Sequence, residues 1–410
     1  MTFQTNPFSF SNDGGLHVSP SETSRDAFGR LRISTPYSLF AGKFVNNSGQ
    51  IHFTDFTSNG GTYSYSSGLS TWNLEVPTTS GARSLRQSRK YLNYSPGYSQ
   101  LIYVTTVFDE PKEHLVQRVG YFDDNNGFFF EASGTTNSVV LRSDTSGIFS
   151  ERRIPQNEWN LDKLDGSGTS EFNLDVSLGN IYLFDMQWLG VGQIRCGVVD
   201  SNGEVVYAHR FINANLFTAP YIRTPNLPVR WEILNAQETS SSSVLRAICC
   251  AVFSDNSVGP LLSKLSTDNG ALEAVTTTEE IVLAIRLKPS NRAIIIPKSA
   301  SLLNTTNNHV VSRIYIGTEP PGLTWVDYGD NVQKSSNNGV TTIPSNSIQI
   351  GTLFVSSQNR STETDLSSVI NITSDYIGSS NVLFMTARAL LGNPNPDPQV
   401  YCSLTWEEVL

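Results

Sequence analysis

Cysteine, charge and long apolar runs are all scarce in this sequence. Its 410 residues include only four cysteines, and no segment holds the roughly 18 uninterrupted apolar residues that a membrane-spanning helix requires. The opening residues, MTFQTNPFSFSNDGG, also lack the basic and apolar regions of a secretion signal. We therefore expect no disulfide framework, no membrane contact and cysteines that are reduced and buried.

The low content of charged residues indicates the fold class. Charged residues make up 16% of the chain, against roughly 25% in typical soluble proteins, and Ser, Thr, Asn and Gly take their place. These residues favour turns, while the Val, Ile, Tyr, Thr and Phe between them favour strands. The composition predicts an all-β chain. Its net charge of -9 argues against nucleic-acid binding, which requires a clustered positive surface.

Short strand candidates separated by turn residues recur along the chain. GYFDDNNGFFFEA (120–132) is typical of a hairpin, because its Asn-Gly pair tolerates the positive φ angles of a tight turn. Residues 180–211 predict three strands, the last two joined by Asp-Ser-Asn-Gly. Six further strand candidates follow residue 279, and no convincing helix interrupts them.

The order of these signals predicts four parts of the chain. Residues 1–40 are expected to form an extended arm and a docking strand, since they are rich in Ser, Asn and Gly and carry isolated aromatics. Residues 41–260 predict a jelly-roll or concanavalin-like β-sandwich. Residues 261–278 are expected to be a linker, and residues 279–410 a second, smaller antiparallel β-sandwich.

The sequence contains no recognisable catalytic or cofactor-binding motif. The five histidines stand far apart, no Cys/His spacing suits zinc, and no glycine-rich loop precedes a helix. Glu131, Asp185 and Glu232 lie in strand-like contexts and could supply the two opposed carboxylates of a glycosidase, but no spacing selects a pair. We expect no metal, no cofactor and no enzymatic activity, with a glycan hydrolase as the third alternative.

One aromatic segment is compatible with ligand contact. The other tryptophans lie in contexts where core packing is the default, whereas GTEPPGLTWVDYGD is loop-like. Trp325 and Tyr328 in this segment are therefore candidates for contact with a glycan or a protein partner.

Two basic segments, residues 25–40 and 80–97, interrupt the acidic background. In RDAFGRLRISTPYSLF (25–40), Leu31 and Ile33 alternate with arginines, which predicts a half-buried strand with a cationic face. We favour an interface strand in which the arginines set register and the apolar face supplies affinity, over an ordinary intrachain strand or a nucleic-acid contact. The predicted interface comprises Arg25, Phe28, Arg30, Leu31, Arg32, Ile33 and Tyr37.

Several stretches together resemble one family. DAFGRLRISTPYSLF, RQSRKYLNYSPGYSQLI, QRVGYFDDNNGFFFE, WLGVGQIRCGVVDSNGEVVYAHRF and the closing VYCSLTWEEVL are similar to a family of virion structural proteins of tailed bacteriophages, including phages of cyanobacteria and other marine hosts. The resemblance implies membership of the particle, and it carries over no catalytic residues.

The resemblance and the composition lead to one expected role and one alternative. The expected role is a non-enzymatic structural component, made in the host cytoplasm and located in the virion, that forms a homo-oligomer, with a trimer favoured, and attaches to other virion proteins. The alternative is a carbohydrate-binding receptor or adhesion module that recognises a host surface glycan.

Overall fold

The structure, a computed structural model, divides into two compact units. It describes residues 8–10, 16–18, 25–27, 29–32, 35–45, 51–255, 262–356, 360–366, 370–390 and 397–409. The first unit comprises Met1–Gln50, Asp55–Ser88 and Tyr94–Val258, and the second comprises Ile51–Thr54, Arg89–Asn93 and Gly259–Leu410. No helix among the described residues is long and apolar enough to cross a membrane.

The strands of the first unit are mostly short. The N-terminal strands are β1 (Phe8–Phe10), β2 (Leu16–Val18) and β3 (Tyr37–Lys43). The next group is β4 (Phe53–Ser58), β5 (Thr62–Ser66), β6 (Thr71–Val76), β7 (Arg83–Ser88), β8 (Gln100–Val107), β9 (Leu115–Phe122), β10 (Gly127–Ser133) and β11 (Thr136–Ser143). The remaining strands are β12 (Ser150–Pro155), β13 (Asn180–Met186), β14 (Ile194–Val199), β15 (Val205–Phe211), β16 (Val229–Asn235) and β17 (Ser243–Ser254). Two single 3-10 turns, Thr145–Gly147 and Gln156–Glu158, flank β12.

Apart from β1 and β2, which pair with each other, these strands form two antiparallel sheets that pack face to face. The seven-stranded sheet has the order β12-β11-β10-β9-β16-β7-β4, and the eight-stranded sheet has the order β15-β14-β13-β8-β17-β6-β5, with β3 also paired to β17. Phe130 of β10 lies between Tyr182 and Phe184 of β13, at ring distances of 4.9 and 5.5 Å. The Trp231 indole of β16 donates to the Thr105 carbonyl of β8. Alternate apolar residues of both sheets therefore make one core.

The hairpin predicted for residues 120–132 is present as β9 and β10. Gly127 adopts a φ of 129°, and a Cβ atom there would lie 2.4 Å from Cα of Phe122, so only glycine fits this position. The three strands predicted in residues 180–211 are β13, β14 and β15, and β14 and β15 are joined by the predicted turn at Asp200.

The second unit contains eleven strands among its described residues. They are β18 (Leu262–Asp268), β19 (Glu273–Ala274), β20 (Glu280–Leu287), β21 (Ile294–Asn304), β22 (Val310–Gly317), β23 (Val326–Tyr328), β24 (Val332–Val340), β25 (Ile348–Val355), β26 (Arg360–Asp365), β27 (Val382–Ala389) and β28 (Gln399–Val409). The sheet orders are β18-β28-β21-β26, with β19 paired to β28, and β23-β24-β20-β27-β22-β25. Leu302 and Trp406 of the first sheet share one buried cluster with Leu283 and Ile314 of the second, which makes this unit a smaller sandwich.

The predicted fold class is confirmed, because the described residues form an all-β chain of antiparallel sheets arranged as two sandwiches. The segment predicted as a linker, residues 261–278, differs from that description. It contains β18 and β19, which pair with β28, and Leu265 packs against the core beside Trp406. The sequence of β18, LSKLSTD, is mostly polar, because exposed residues alternate with residues that face the core. Its composition is therefore similar to that of a linker, although its residues belong to a sheet.

Candidate functional site

The described residues 25–27 and 29–32 form a turn in the first unit and not the strand that their alternation predicted; the rest of that predicted strand, residues 33 and 34, lies outside the described residues. Among the described residues of this stretch, one ladder contact is present, a single bridge between Arg25 and Leu31. Gly29 has a φ of +77°, and the backbone folds back on Asp26, whose carboxylate accepts the Arg30 backbone N–H at 2.8 Å and Nε at 2.7 Å. The local carboxylate therefore closes a turn that the apolar-polar alternation did not indicate.

Arg32 anchors this turn to the eight-stranded sheet. Its guanidinium lies 2.7 Å from the Asp185 carboxylate of β13 and donates to the Ser99 hydroxyl at 3.1 Å. Asp185 is fully buried and also pairs with Arg195 of β14, which in turn donates to the backbone carbonyl of Arg25. We call this group, Arg25, Arg32, Ser99, Asp185 and Arg195, the anchor cluster.

The anchor cluster holds its charges by mutual pairing. Burial lowers the pKa of Arg32, but the carboxylates of Asp185 and Asp255 raise it above its usual value. Burial raises the pKa of the Asp255 carboxyl, and Arg32, 3.6 Å away, opposes that shift. A guanidinium that stays charged beside a buried carboxylate fixes the position of the segment that carries it.

The structure separates the described residues of the predicted interface into two groups. Arg25, Arg30 and Arg32 contact atoms of their own chain, as described above. Leu31 and Tyr37 expose 51% and 49% of their surface. Phe28 and Ile33 lie outside the described residues. The role of this set in an interface stays a prediction.

The second basic segment contributes to a charged lattice on the outer face of the seven-stranded sheet. Arg118 of β9 lies between Glu131 of β10 and Glu232 of β16, at 2.8 and 3.3 Å. Arg83 of β7 pairs with Glu232 from the other side, and Arg153 of β12 pairs with Glu131 at 2.6 Å. Cations and carboxylates therefore alternate across neighbouring strands, which is the favourable arrangement for cross-strand pairs.

Arginine side chains of this lattice also cover an apolar cluster. Phe122, Phe129 and Val140 form a small buried group on the outer face. The Arg142 guanidinium lies 4.9 Å from the Phe129 ring centre, and that of Arg230 lies 5.1 Å from the Phe122 ring centre. The aliphatic and planar parts of arginine exclude water from aromatic rings, so the two arginines help to bury this cluster.

The carboxylates considered for glycoside hydrolysis do not have the environment of an acid–base pair. Asp185 belongs to the eight-stranded sheet, whereas Glu131 and Glu232 share Arg118 in the seven-stranded sheet. Burial raises the pKa of the Glu232 carboxyl, but its arginine neighbours, Arg118 first, lower it to about 2. A general acid in glycoside hydrolysis needs a raised pKa, so the arginine lattice opposes that role.

Trp325 and Tyr328, the candidates for ligand contact, lie in the second unit and differ in their surroundings. The Trp325 indole donates to the Glu319 carboxylate at 2.6 Å, and the Arg286 guanidinium lies 4.3 Å from its ring centre. The Tyr328 hydroxyl donates to the Ser266 carbonyl at 2.6 Å, and its ring packs on Trp406. The contacts of Tyr328 therefore lie within the sandwich, whereas Trp325 belongs to a polar cluster with Glu319 and Arg286.

A cavity of about 400 Å3 adjoins this polar cluster. Arg286 and Glu319, the two partners of Trp325, both line it. The rest of the polar lining comes from Arg89, Thr318, Asp375, Ser379, Ser380 and Asn381. The cavity thus combines an ion pair, a neighbouring indole, hydroxyls and an amide, which are groups that bind polar ligands. The sequence predicted Trp325 as a contact residue, but no pattern in it indicated that Arg286 and Glu319 would lie beside it.

The described part of the chain shows no group of three His, Cys, Asp or Glu side chains that could hold a metal ion. Cys196, Cys250 and Cys402 are buried, as expected, and burial raises the pKa of each thiol. Cys249 is partly exposed, and its thiol contacts the Thr105 hydroxyl.

No family model matches this sequence, and no curated protein matches it. Solved structures that match part of the chain include a prokaryotic β-1,3-1,4-glucanase (lichenase) from a mouse hindgut metagenome, with a TM-score of 0.34 and 14% identity over 53% of this chain and 99% of that one. A β-glucanase of Bacillus licheniformis matches with a TM-score of 0.32 and 11% identity over 53% and 98%. A legume lectin-like domain from Entamoeba histolytica matches with a TM-score of 0.31 and 9% identity over 55% and 100%. Likenesses at this level carry no argument about activity or ligand.

Proposed function

We propose that this chain is a non-enzymatic structural component of a tailed-phage virion that self-associates through its N-terminal region and attaches to other virion proteins. The resemblance of its sequence to that family supports the particle assignment. The anchor cluster supports the self-association, because it fixes the base of the N-terminal arm to the sandwich through Arg32 and the buried Asp185. An arm that leaves a rigid domain at a fixed point is suited to reach a neighbouring subunit.

The arm has its own short secondary structure. β1 and β2 pair with each other and, among the described residues, with no other strand. Beside the anchored turn, Leu31 and Tyr37 are exposed. These features supply apolar contact surface next to a fixed point, and a trimer remains the favoured assembly.

The anchor cluster determines how the proposal should be tested. Deletion of residues 1–40 would remove Arg32 and leave Asp185 with one fewer partner, so loss of assembly could follow from loss of the fold. Deletion of residues 1–24 retains the cluster. We expect this variant to be folded by circular dichroism and monomeric by light scattering, while the full chain is oligomeric.

A point variant and its control make the test specific for the aromatics of the arm. Replacement of Phe8 and Phe10 by Ser should weaken the oligomer, whereas Phe149→Ser, at an exposed position elsewhere in the first unit, should not. Self-association through residues 1–24 is refuted if the chain without them keeps the native mass. Self-association altogether is refuted if the full chain is a monomer at about 100 μM, well above the Kd of a stable assembly.

A second candidate function, glycan recognition, is favoured by the polar cavity of the second unit. The Arg286–Glu319 pair and the Trp325 ring combine hydrogen-bonding groups with an aromatic surface, as sugar-binding sites do. A glycan array should show binding that Trp325→Ala and Glu319→Gln abolish. The exposed aromatic of the same unit, Phe354, provides a control in Phe354→Ala. Uniform absence of binding on the array removes this candidate.

A further inference from the structure

A second cavity lies at the side of the first unit. Its volume is about 260 Å3. It is lined by residues of β11, β12 and the segment after β15, namely Leu141, Ser143, Thr145, Ser150, Arg152, Phe217, Thr218, Ala219, Pro220 and Tyr221. β12 and β15 are edge strands of the two sheets, so we call this space the edge cavity. Pockets for drug-sized ligands occupy about 300–1,000 Å3, and the edge cavity is therefore sized for one small chemical unit.

Two side chains of the edge cavity carry polar atoms that no described residue satisfies. Arg152 Nε and the Tyr221 hydroxyl are both buried and have no hydrogen-bond partner within the part of the chain that the structure describes. Tyr221 exposes only 5% of its surface. A buried polar atom without a partner is unfavourable, and both side chains line the edge cavity, so a small movement of either one would give it a partner in a ligand bound there.

Arg152, which is only partly buried, differs from the fully buried arginines of the first unit, each of which pairs with a carboxylate. No carboxylate of the described residues lies within 4.0 Å of its guanidinium, whose one polar contact is the Asn213 side-chain oxygen at 3.2 Å. Burial lowers its pKa without an opposing acid, whereas the burial of Arg142 is opposed by Glu151. The nearby Asp144 is paired with Arg223 at 2.7 Å. An anion in the cavity would supply the missing charge partner.

The remaining walls suit a sugar ring more than a bare anion. Phe217, which lines the cavity, exposes 48% of its surface, and its ring centre lies 5.9 Å from the Arg152 guanidinium. The Thr145 hydroxyl accepts a hydrogen bond from the Ser143 hydroxyl, so its own O–H group can donate a hydrogen bond to a ligand. An aromatic ring beside hydroxyl groups packs against the C–H face of a sugar while its hydroxyls are hydrogen-bonded.

We propose that the edge cavity binds the carboxylate of an acidic monosaccharide unit, with Arg152 as the charge partner, Tyr221 as a hydrogen-bond donor and Phe217 against the sugar ring. This site is separate from the polar cavity of the second unit. It requires neither the particle assignment nor assembly through the arm.

The test uses the full chain and three probes in isothermal titration calorimetry: D-glucuronate, D-glucose and acetate. We expect glucuronate to bind, and glucose and acetate each to bind at least about tenfold more weakly, because each lacks one of the two recognised features. Arg152→Gln should weaken glucuronate binding by at least about tenfold, since it removes a charge-assisted hydrogen bond. Arg246→Gln, in β17 and outside the lining of the cavity, should leave binding unchanged.

Tyr221→Phe keeps the test decisive if Arg152→Gln fails to fold. This change removes one oxygen that has no partner among the described residues, so it should preserve the fold and weaken glucuronate binding severalfold. The proposal is overturned if the full chain binds no glucuronate, if glucose or acetate binds equally well, or if binding survives both Arg152→Gln and Tyr221→Phe.

Discussion

Replacement of Arg32 by Gln is expected to destabilise the first unit far more than the same change at Arg30. Both arginines pair with a carboxylate, at the same distance of 2.7 Å. They differ in exposure, since 55% of the Arg30 side chain is exposed but only 17% of the Arg32 side chain. Asp185, the partner of Arg32, is fully buried. Asp26, the partner of Arg30, is buried as well, with 4% of its side chain exposed, so the comparison tests how burial of the arginine itself changes the cost of its loss.

The magnitude follows from what each change leaves behind. Removal of one partner of a buried pair typically costs about 3–5 kcal/mol because the other charge is left without compensation. Asp185 keeps Arg195 and the Ser99 hydroxyl, so we expect about 2–3 kcal/mol, close to the value of a hydrogen bond to a charged group. For Arg30, whose own charge is largely in water, we expect about 0–1 kcal/mol, because the buried Asp26 carboxylate keeps the Arg30 backbone N–H and the Gln187 amide as donors.

Urea unfolding read by hydrogen exchange provides the measurement. Peptides that cover β13 and β14 report the first unit separately from the second, which matters because a chain of two units need not unfold in one transition. A double-mutant cycle of Arg32→Gln with Asp185→Asn should give a coupling energy of at least about 1 kcal/mol. If Arg32→Gln and Arg30→Gln shift the free energy of unfolding equally, the anchoring role of Arg32 is refuted.

Three further predictions concern other parts of the chain. The arginines lower the pKa of Glu232 to about 2, below its unfolded value. The ionised group therefore stabilises the fold above about pH 4.5, and the free energy of unfolding falls by about 3 kcal/mol as the pH falls towards 2. Glu232→Gln should flatten the acid limb of a stability-versus-pH curve. A thiol reagent at pH 8 should react quickly with Cys249 alone in the folded protein, because burial raises the pKa of the other three thiols. In denaturant it should react with all four cysteines. Fast reaction of more than one thiol in the folded protein would contradict the burial of the other three. In thermal unfolding, Gly127→Ala should cost at least about 2 kcal/mol, because its Cβ would meet backbone atoms at 2.4 Å. Gly203→Ala, which is also at positive φ but has open space around it, should cost about 1 kcal/mol. Equal costs would show that the φ angle alone determines the loss of stability.

Local pattern was sufficient for the elements that combine apolar alternation with turn chemistry. The Asn126-Gly127 turn and the three strands of residues 180–211 have both signals, and the structure has strands at these places. β24 (Val332–Val340) has neither, since its sequence VQKSSNNGV is polar and contains a turn-like Asn-Asn-Gly. It is a strand because β20 and β23 supply hydrogen-bond partners on both sides. Pairing of this kind is set by distant segments and leaves no local pattern.

The charged sites were the part that sequence reasoning could describe least. The sequence showed Arg83 and Glu232 as separate features, but they are 149 positions apart and meet only because β7 and β16 are neighbours. Arg195 reaches the backbone carbonyl of Arg25 across 170 positions. One local signal was available: Asp185 is the single charge in the apolar strand NIYLFDM, and a buried charge must have a partner.

The anchor cluster changes which residues of the opening segment are suited to contact a neighbour. An arginine that pairs with a buried carboxylate of its own chain has little capacity left for another subunit, and its exchange for Glu would set a third carboxylate beside Asp185 and Asp255. Such a variant would lose stability before it lost an interface, so loss of assembly in Arg32→Glu would not identify a contact. Leu31 and Tyr37 are exposed instead, and their apolar surface lies where the anchored segment ends. The arginines therefore position the arm, and in the proposed assembly we expect contact with a neighbour to come from its apolar residues.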